Sequence, residues 1–165
     1  QLVPMEPPSA SAKRAVAELP VQTAYVLLGF PSVRLADPEL YPLDVLANIL
    51  GEGESARLYE TIVRQRQLAH TMAAWNYTPH DPGVFAIQFR TDPENVQAAI
   101  HAVLEILDEV KRRGVSEEEL RKAKRTMSAE YLFRLQTIES RASDLASAMS
   151  STGDPLFSRH YVEGI

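Results

Sequence analysis

The sequence predicts an α+β fold in which helices are layered on one face of a mostly antiparallel sheet. The predicted order along the chain is two strands, two helices, two further strands and then long helices. The second pair of strands is joined by a short turn, which favours antiparallel pairing. Strands in runs followed by helices in runs are typical of this fold class, because the helices can then cover a single face of the sheet.

The composition is that of one globular domain. The 165 residues are 45% hydrophobic and 24% charged, as expected for a chain that buries its own core. The net charge of −5 argues against nucleic-acid binding, which usually leaves a basic surface, and the absence of cysteine excludes disulfides and thiolate metal sites. No apolar run approaches the ~20 residues that span a bilayer. The proline-containing residues 1–12 are interpreted as a linker, and residues 13–165 as a single α+β domain.

The first strands are predicted in residues 13–19 and 21–30. The second of these contains a continuous apolar run from Tyr25 to Leu28. A short run of this kind is typical of a strand that is covered on both faces, so we expect a central strand here.

Two helices are predicted to follow. Asp37, Pro38 and Glu39 form a helix start, in which an acidic N-cap precedes a proline at the first helical position. Gly51 is predicted to end this helix in the left-handed conformation. Ser55 is predicted to cap the second helix, whose apolar residues are Leu58, Ile62 and Val63.

A β-hairpin is predicted from residues 68–77 and 84–90. Phe85, Ile87 and Phe89 alternate with other residues and give the second strand one apolar face. The intervening residues 78–83 contain two prolines and a glycine, which are typical of a turn. Trp75 and Tyr77 share one face of the first strand, where they belong either to the core or, if exposed, to a contact surface.

The remaining sequence is helical. A helix is predicted from Thr91–Glu94 to Gly114, with an apolar stripe formed by Val96, Ile100, Val103, Leu104 and Leu107. Ser116 and Glu119 form a capping box that begins the next helix. Either one kinked helix or two helices cover residues 117–151, and Gly153 marks the end.

The histidines do not predict a metal site. Zinc peptidase motifs place two imidazoles on one helical face, yet no two of the four histidines have the required spacing. His101 and Glu105 are four residues apart but lack a third ligand, and His70 and His80 could approach each other only across the hairpin. Since catalytic zinc requires about three protein ligands, we expect no metal ligand in this domain. Without a Gly-x-Ser-x-Gly motif, the sequence also assigns no catalytic residue.

Arg57 is the charged residue with the clearest predicted role. It lies in the first turn of the second predicted helix, where a cation is mildly unfavourable beside the positive end of the helix dipole. We therefore expect a specific partner, and predict that Arg57 has a structural role in holding the preceding loop or an adjoining domain.

An ordered series of segments resembles the second, non-catalytic type of domain in the insulinase and pitrilysin family of zinc metallopeptidases. The resemblance extends from Ala15 to Ile165 and rests on residues 25–31, 43–51, 55–59, 91–96, 114–120 and 122–124. It implies an α+β domain that forms part of a peptide-enclosing chamber and contacts a companion catalytic domain or subunit. Zinc is expected in that companion and not in this domain, and the substrate is expected to be a peptide.

The same resemblance implies two further expectations. The family's domain continues beyond the position of Ile165, so the chain is expected to be truncated at its C-terminal end. The periplasm is favoured over the cytoplasm. Two alternatives stay open, namely an inactive scaffold or assembly subunit of the same family and an unrelated α+β domain that binds a small molecule.

The chain departs from the family at the positions that assist catalysis in some members. An arginine and a tyrosine that contact substrate there correspond to Val63 and His70 in this sequence. Arg64 is one residue away from the arginine position, which turns it by about 100° on an α-helix. We therefore expect no direct help in the transition state, although His70 could replace the tyrosine as a hydrogen-bond donor to substrate.

Overall fold

The computed structural model describes residues 11–165 and confirms the α+β class. The strands β1 (Ala24–Pro31), β2 (Thr71–Tyr77) and β3 (Val84–Thr91) form an antiparallel sheet in the order β1-β3-β2. The α-helices are α1 (Leu40–Gly51), α2 (Val96–Arg113), α3 (Glu117–Arg134), α4 (Ile138–Thr152) and α5 (Phe157–Gly164). A π-helix, Tyr59–Gln65, precedes β2, and a short 3-10 turn, Pro93–Asn95, precedes α2. Most of the predicted linker lies outside the described residues.

Within residues 11–165, strand β1 lies at an edge of the sheet, which contradicts the prediction of a central strand. Among the described strands it pairs only with β3, which occupies the centre of the sheet. Val26 and Leu28 pack against the core, whereas Tyr25 and Leu27 are each 63% exposed. The continuous apolar run therefore belongs to a strand with one covered face. The strand predicted in residues 13–19 is absent, and every residue of this segment is exposed.

The hairpin prediction is confirmed. Strands β2 and β3 pair in a register that sets Met72 opposite Phe89 and Trp75 opposite Ala86. Gly83 is required at the end of the turn, because a Cβ atom there would lie 1.8 Å from the carbonyl oxygen of Tyr77. Strand β2 begins at Thr71 and not at the predicted residue 68, whose backbone N–H is bonded to the carbonyl of Ile62 in the π-helix.

Helix α1 approaches strand β2 closely at Gly51. A Cβ atom on Gly51 would lie 2.0 Å from the backbone nitrogen of Ala74. The predicted left-handed stop at Gly51 is wrong, since the positive φ of 74° belongs to Gly53. The helix was predicted to start at residues 37–39, but α1 begins at Leu40. Asp37 Oδ1 accepts a hydrogen bond from Glu39 N at 2.9 Å just before this start.

The second predicted helix is a π-helix, and Ser55 does not cap it. The Arg66 N–H bonds to the carbonyl of Thr61 at 3.0 Å, five residues earlier, which is the wider π spacing. Three successive β-branched residues, Thr61–Val63, lower the α-helical propensity of this segment. The hydroxyl of Ser55 instead accepts a hydrogen bond from the Lys122 ammonium of α3.

Helix α2 covers the core with a stripe that overlaps the predicted one only in part, since Ile100 and Leu107 pack against the core as expected. Val103 is fully buried as expected, whereas Leu104 is exposed. The other fully or nearly fully buried positions are Ala99, Ala102 and Ile106. Two of these are alanines, whose small side chains permit close packing but contribute little to an apolar pattern. The predicted stripe was chosen from the large apolar side chains, so it omitted the two buried alanines and included the exposed Leu104.

The C-terminal third contains three separate helices. The Ser116–Glu119 capping box is confirmed, and Thr137 accepts a hydrogen bond from Ser140 N at 3.1 Å to cap α4. Two helices, and not one kinked helix, therefore cover residues 117–151. Gly153 ends α4 with a φ of 77°, as predicted. Helix α5 was not predicted.

Candidate functional site

The face of the sheet opposite the helices is apolar and exposed. Five of its side chains, which we term the open face, are contributed by all three strands: Tyr25, Leu27, Trp75, Tyr77 and Val84. Tyr77 is 61% exposed and Trp75 is 38% exposed. The sequence had left these two aromatic residues either in the core or on a contact surface, and the structure places them on the surface. Contiguous exposed apolar side chains of this kind mark interaction sites.

The strand register sets the composition of the open face. Tyr25 lies opposite Arg90, whose guanidinium carbon is 6.0 Å from the centre of the Tyr25 ring. Arg90 Nε also donates a hydrogen bond to Thr71 Oγ1 at 3.2 Å. Aromatic residues beside an arginine are enriched in protein–protein interfaces, so the open face has the chemistry of a protein-binding surface.

Arg57 contacts an acidic residue of the same domain. Its Nε and one terminal nitrogen donate to the two carboxylate oxygens of Glu119 at 2.8 and 2.5 Å. Both side chains are largely shielded from solvent. Glu119 completes the capping box at the N-terminus of α3, so the pair connects the segment that follows residues 51–54 to α3. A role of Arg57 toward an adjoining domain stays a prediction.

His70 lies at the start of the hairpin and is half exposed. Its Nε2 is 3.0 Å from Asp92 Oδ1, at the end of β3. The backbone N–H of His70 donates to the carbonyl of Arg90 at 2.8 Å. The hairpin therefore fixes the backbone at His70, while the imidazole reaches solvent. Its predicted contact with a peptide stays a prediction.

Val63, which stands at the position of the family's arginine, and the adjacent Arg64 have different environments. Val63 packs against the core, as its apolar side chain requires. Arg64 is exposed and forms ion pairs with Glu54 at 3.0 Å and Glu60 at 3.3 Å. The Arg64 side chain is therefore engaged by acidic residues of its own surface.

The histidines are dispersed. His70 and His80 lie at opposite ends of the seven-residue strand β2, which spans roughly 23 Å at 3.3 Å per residue, so they do not approach each other. Glu105 accepts a hydrogen bond from Arg66 at 2.7 Å, which lowers the pKa of Glu105, while His101 is exposed. Within residues 11–165, no three histidine or acidic side chains gather in a metal-binding arrangement.

Asp44 is a polar site that the sequence prediction missed. Its Oδ1 accepts from Asn76 Nδ2 at 2.7 Å, and its Oδ2 accepts from the Tyr161 hydroxyl at 2.6 Å. Burial raises the pKa of the Asp44 carboxyl, although both hydrogen bonds oppose the shift. Ser32 Oγ donates to Asn76 Oδ1 at 2.5 Å and extends this network to the end of β1. The one available signal was that Asp44 is the only charged residue of α1.

The network also holds helix α5. The Tyr161 ring stacks on Tyr41 of α1 with centroids 5.4 Å apart, and Phe157 packs against Tyr161 at 6.3 Å. Burial and the neighbouring Asp44 carboxylate raise the pKa of Tyr161, so this hydroxyl remains a donor. The arrangement fastens α5 to α1.

Comparison with known proteins gives one family. The family model described as the peptidase M16 inactive domain matches residues 1–127. A curated zinc protease of Bacillus subtilis (strain 168), YmxG, is 25% identical over 139 residues, which cover 84% of this chain and 34% of YmxG. The chain therefore spans about a third of the length of this relative.

Solved structures share the fold. The inactive peptidase domain from Bordetella parapertussis superposes with a TM-score of 0.77 and 22% identity, covering 86% of this chain and 77% of that one. The periplasmic protease PqqL from Escherichia coli gives a TM-score of 0.72 with 14% identity, covering 89% of this chain and 17% of PqqL. At these identities the likeness concerns the fold alone.

Proposed function

Because this chain belongs to the peptidase M16 inactive domain family, we propose that it is the non-catalytic domain of a zinc metallopeptidase and forms one wall of a peptide-enclosing chamber. Peptide hydrolysis takes place at zinc held by a companion catalytic domain or subunit. This domain contributes enclosure, contact with that companion and positioning of the peptide. It contributes no metal ligand.

The open face carries this proposal. A domain that worked alone would keep Tyr25, Leu27 and Tyr77 in water, yet each is more than half exposed. Covering such side chains gains roughly 25 cal/mol per Å² of apolar area. The aromatic and arginine composition fits a contact between protein domains better than a small-molecule pocket, which would be concave. The companion domain is the partner that the family supplies.

The location of the zinc is supported by the ligand chemistry. Catalytic zinc needs about three histidine or carboxylate ligands and an open position, and residues 11–165 offer no such cluster. In the described part of the chain, no helix has the length and hydropathy needed to cross a membrane. The likeness to the periplasmic protease PqqL supports the proposal of a periplasmic location.

The experiment uses the full-length protein. Leu27→Asp places a charge on the open face, and Leu104→Asp makes the same change on the exposed side of α2. We expect the Leu27 variant to retain its zinc and its folded circular dichroism spectrum but to lose peptide hydrolysis by roughly ten-fold or more, the loss typical of a hot-spot interface residue. The Leu104 variant should hydrolyse peptides normally. Equal activities would show that the open face is not the contact surface.

A second measurement tests whether the domain is non-catalytic. Zinc content and peptide cleavage are measured for the 165-residue chain beside the full-length protein. The proposal requires zinc and cleavage in the full-length protein only. Stoichiometric zinc or cleavage in the 165-residue chain would overturn it, and a full-length protein without either would favour an inactive scaffold subunit.

A further inference from the structure

A short polar strip lies beside the open face, on the same side of the sheet. It consists of Arg90 and Gln88 on the central strand β3 and Thr71 on β2, and the register sets Arg90 opposite Thr71. Arg90 and Gln88 are both exposed. They are two residues apart in the strand, which is roughly 7 Å at 3.3 Å per residue. The polar strip therefore offers two solvent-facing polar side chains in a row on an otherwise apolar surface.

Arg90 is the only charged side chain on this side of the three described strands. Arg57 and Arg66 are paired with carboxylates of the domain itself. Arg90, in contrast, forms no ion pair with any residue of the described part of the chain. In a protein with a net charge of −5, an exposed cation without a carboxylate beside it is complementary to a negative group from outside the domain.

The guanidinium of Arg90 is held in place by both neighbouring strands. Its Nε donates a hydrogen bond to Thr71 Oγ1 at 3.2 Å, and its carbon lies 6.0 Å from the centre of the Tyr25 ring. The two terminal nitrogens form no hydrogen bond within residues 11–165. Two such nitrogens match the two oxygens of one carboxylate. Because the group is already oriented, binding costs less conformational entropy than it would for a freely moving arginine.

Gln88 adds a second kind of recognition. Its side-chain amide has both donors and an acceptor, and it forms no hydrogen bond to another described residue. An amide can therefore bond the main-chain N–H or C=O of a bound peptide. The separation from Arg90 corresponds to about two residues of an extended chain. The pair thus fits a peptide that has an acidic side chain next to a main-chain group.

We propose that the polar strip is a specificity subsite for an acidic residue of the peptide substrate. The terminal nitrogens of Arg90 bind the carboxylate of a glutamate or aspartate, and Gln88 hydrogen-bonds the peptide main chain. This inference rests on the proposed function, in which the domain positions the peptide. Arg90 selects the substrate, and the five side chains of the open face contact the companion.

Two observations favour a peptide as the source of the carboxylate. An extended peptide brings main-chain polar groups that need partners, and the polar strip supplies them. The strip also adjoins His70, for which a peptide contact is predicted, because the His70 N–H donates to the carbonyl of Arg90 at 2.8 Å. A carboxylate of the companion domain is the alternative source, and the experiment separates the two.

The test uses the full-length protein and pairs of quenched fluorescent peptides. The two members of a pair differ only in glutamate or glutamine at one position, and this position moves along the peptide from pair to pair. We expect one position at which kcat/KM is about five-fold higher for glutamate than for glutamine, as for an exposed charge-assisted contact. This ratio should shrink with added salt.

Variants assign the preference to the polar strip. Arg90→Gln should reduce the glutamate-to-glutamine ratio to about one, and Arg90→Glu should reverse it, because repulsion replaces attraction. Gln88→Ala should raise KM for both members of a pair and leave their ratio unchanged, since the main chain is common to both. Arg125→Glu makes the same charge change at an exposed arginine of α3 and should retain the wild-type ratio. Circular dichroism and zinc content show that the variants are folded.

Several results would overturn the proposal. One is a ratio near one at every position in the wild-type protein, and another is a preference that persists in Arg90→Glu. Equal slowing of both peptides at all positions by Arg90→Glu would assign the carboxylate to the companion domain. If turnover is absent, fluorescence anisotropy of the same peptides gives the ratio of affinities. The Leu27 and Leu104 variants compare total activity and not this ratio, so a failure of the proposed function is distinguished from a failure of the subsite.

Discussion

Arg57 and Glu119 form a two-bond ion pair between residues that are 62 positions apart, with N–O distances of 2.8 and 2.5 Å. The same carboxylate accepts the Ser116 N–H at 2.8 Å and completes the capping box of α3. One acidic side chain therefore caps a helix and connects it to the segment before the π-helix.

Replacing Arg57 should destabilise the domain. Arg57→Ala removes a partly buried partner of Glu119, and we expect the free energy of unfolding to fall by about 1–2 kcal/mol. The measurement is urea denaturation at neutral pH. Arg113→Ala is the control, because Arg113 forms only an exposed pair with Glu109, and it should change stability by less than about 0.5 kcal/mol. Equal losses in the two variants would contradict a structural role for Arg57.

The Arg57–Glu119 pair should also make the stability of the domain depend on pH. Arg57 is the main cause that holds the pKa of Glu119 at about 2, below its ordinary value of 4.5. A carboxyl with a lowered folded-state pKa stabilises the fold above its unfolded pKa and loses this contribution as the pH falls. We therefore expect the free energy of unfolding to decline between pH 4.5 and 2, and to decline less in Glu119→Gln. Glu118→Gln, which neutralises an exposed neighbour, should retain the wild-type slope.

Asp44 should have the opposite effect. Burial raises its pKa above the ordinary value of 3.8, so its contribution is present at low pH and is lost as the pH rises through the folded-state pKa. Asp44→Asn removes this titration while retaining an acceptor for Asn76 or Tyr161. Urea denaturation across a pH series should therefore show a smaller loss of stability above pH 3.8 in the variant. Asp81→Asn in the hairpin turn should show no such change, and an identical pH profile for Asp44→Asn would refute the assignment.

Local patterns predicted several elements, and long-range contacts explain the errors. The alternation of Phe85, Ile87 and Phe89 identified β3, and the Ser116–Glu119 spacing identified the start of α3, because both signals lie within one element. The edge position of β1 depends on pairing order, which the run Tyr25–Leu28 does not encode.

The candidate sites show the same limit. Asp44 binds Asn76 and Tyr161, which are 32 and 117 residues away, so no short motif could reveal this network. The exposure of Trp75 and Tyr77 also required the structure, because alternation shows that side chains share a face but not which face the helices cover. Arg57 could be selected because its position at a helix start is locally unfavourable, whereas the identity of its partner could not.

Gly51 and Gly53 provide a matched test of two different requirements for glycine. Gly51→Ala would place a Cβ atom 2.0 Å from the Ala74 backbone nitrogen, so α1 must move away from β2 at a cost of about 3 kcal/mol. Gly53→Ala meets no neighbour, but its φ of 74° costs a non-glycine residue about 1 kcal/mol. Urea denaturation should rank the two losses in this order. A larger loss at Gly53 would show that the helix–strand contact is looser than described.

His70 offers the most direct test of a role in peptide hydrolysis. If the imidazole donates a hydrogen bond to the peptide in place of the family's tyrosine, His70→Ala in the full-length enzyme should lower kcat/KM by about three- to ten-fold, the value of one hydrogen bond. His70→Tyr should restore most of this loss. Asp92→Asn should give a smaller effect, because Asp92 lies 3.0 Å from Nε2 and orients the ring. His80→Ala, at the other end of the hairpin, serves as the control. Unchanged turnover in His70→Ala would eliminate the hydrogen bond to substrate and leave the imidazole with its contact to Asp92 alone.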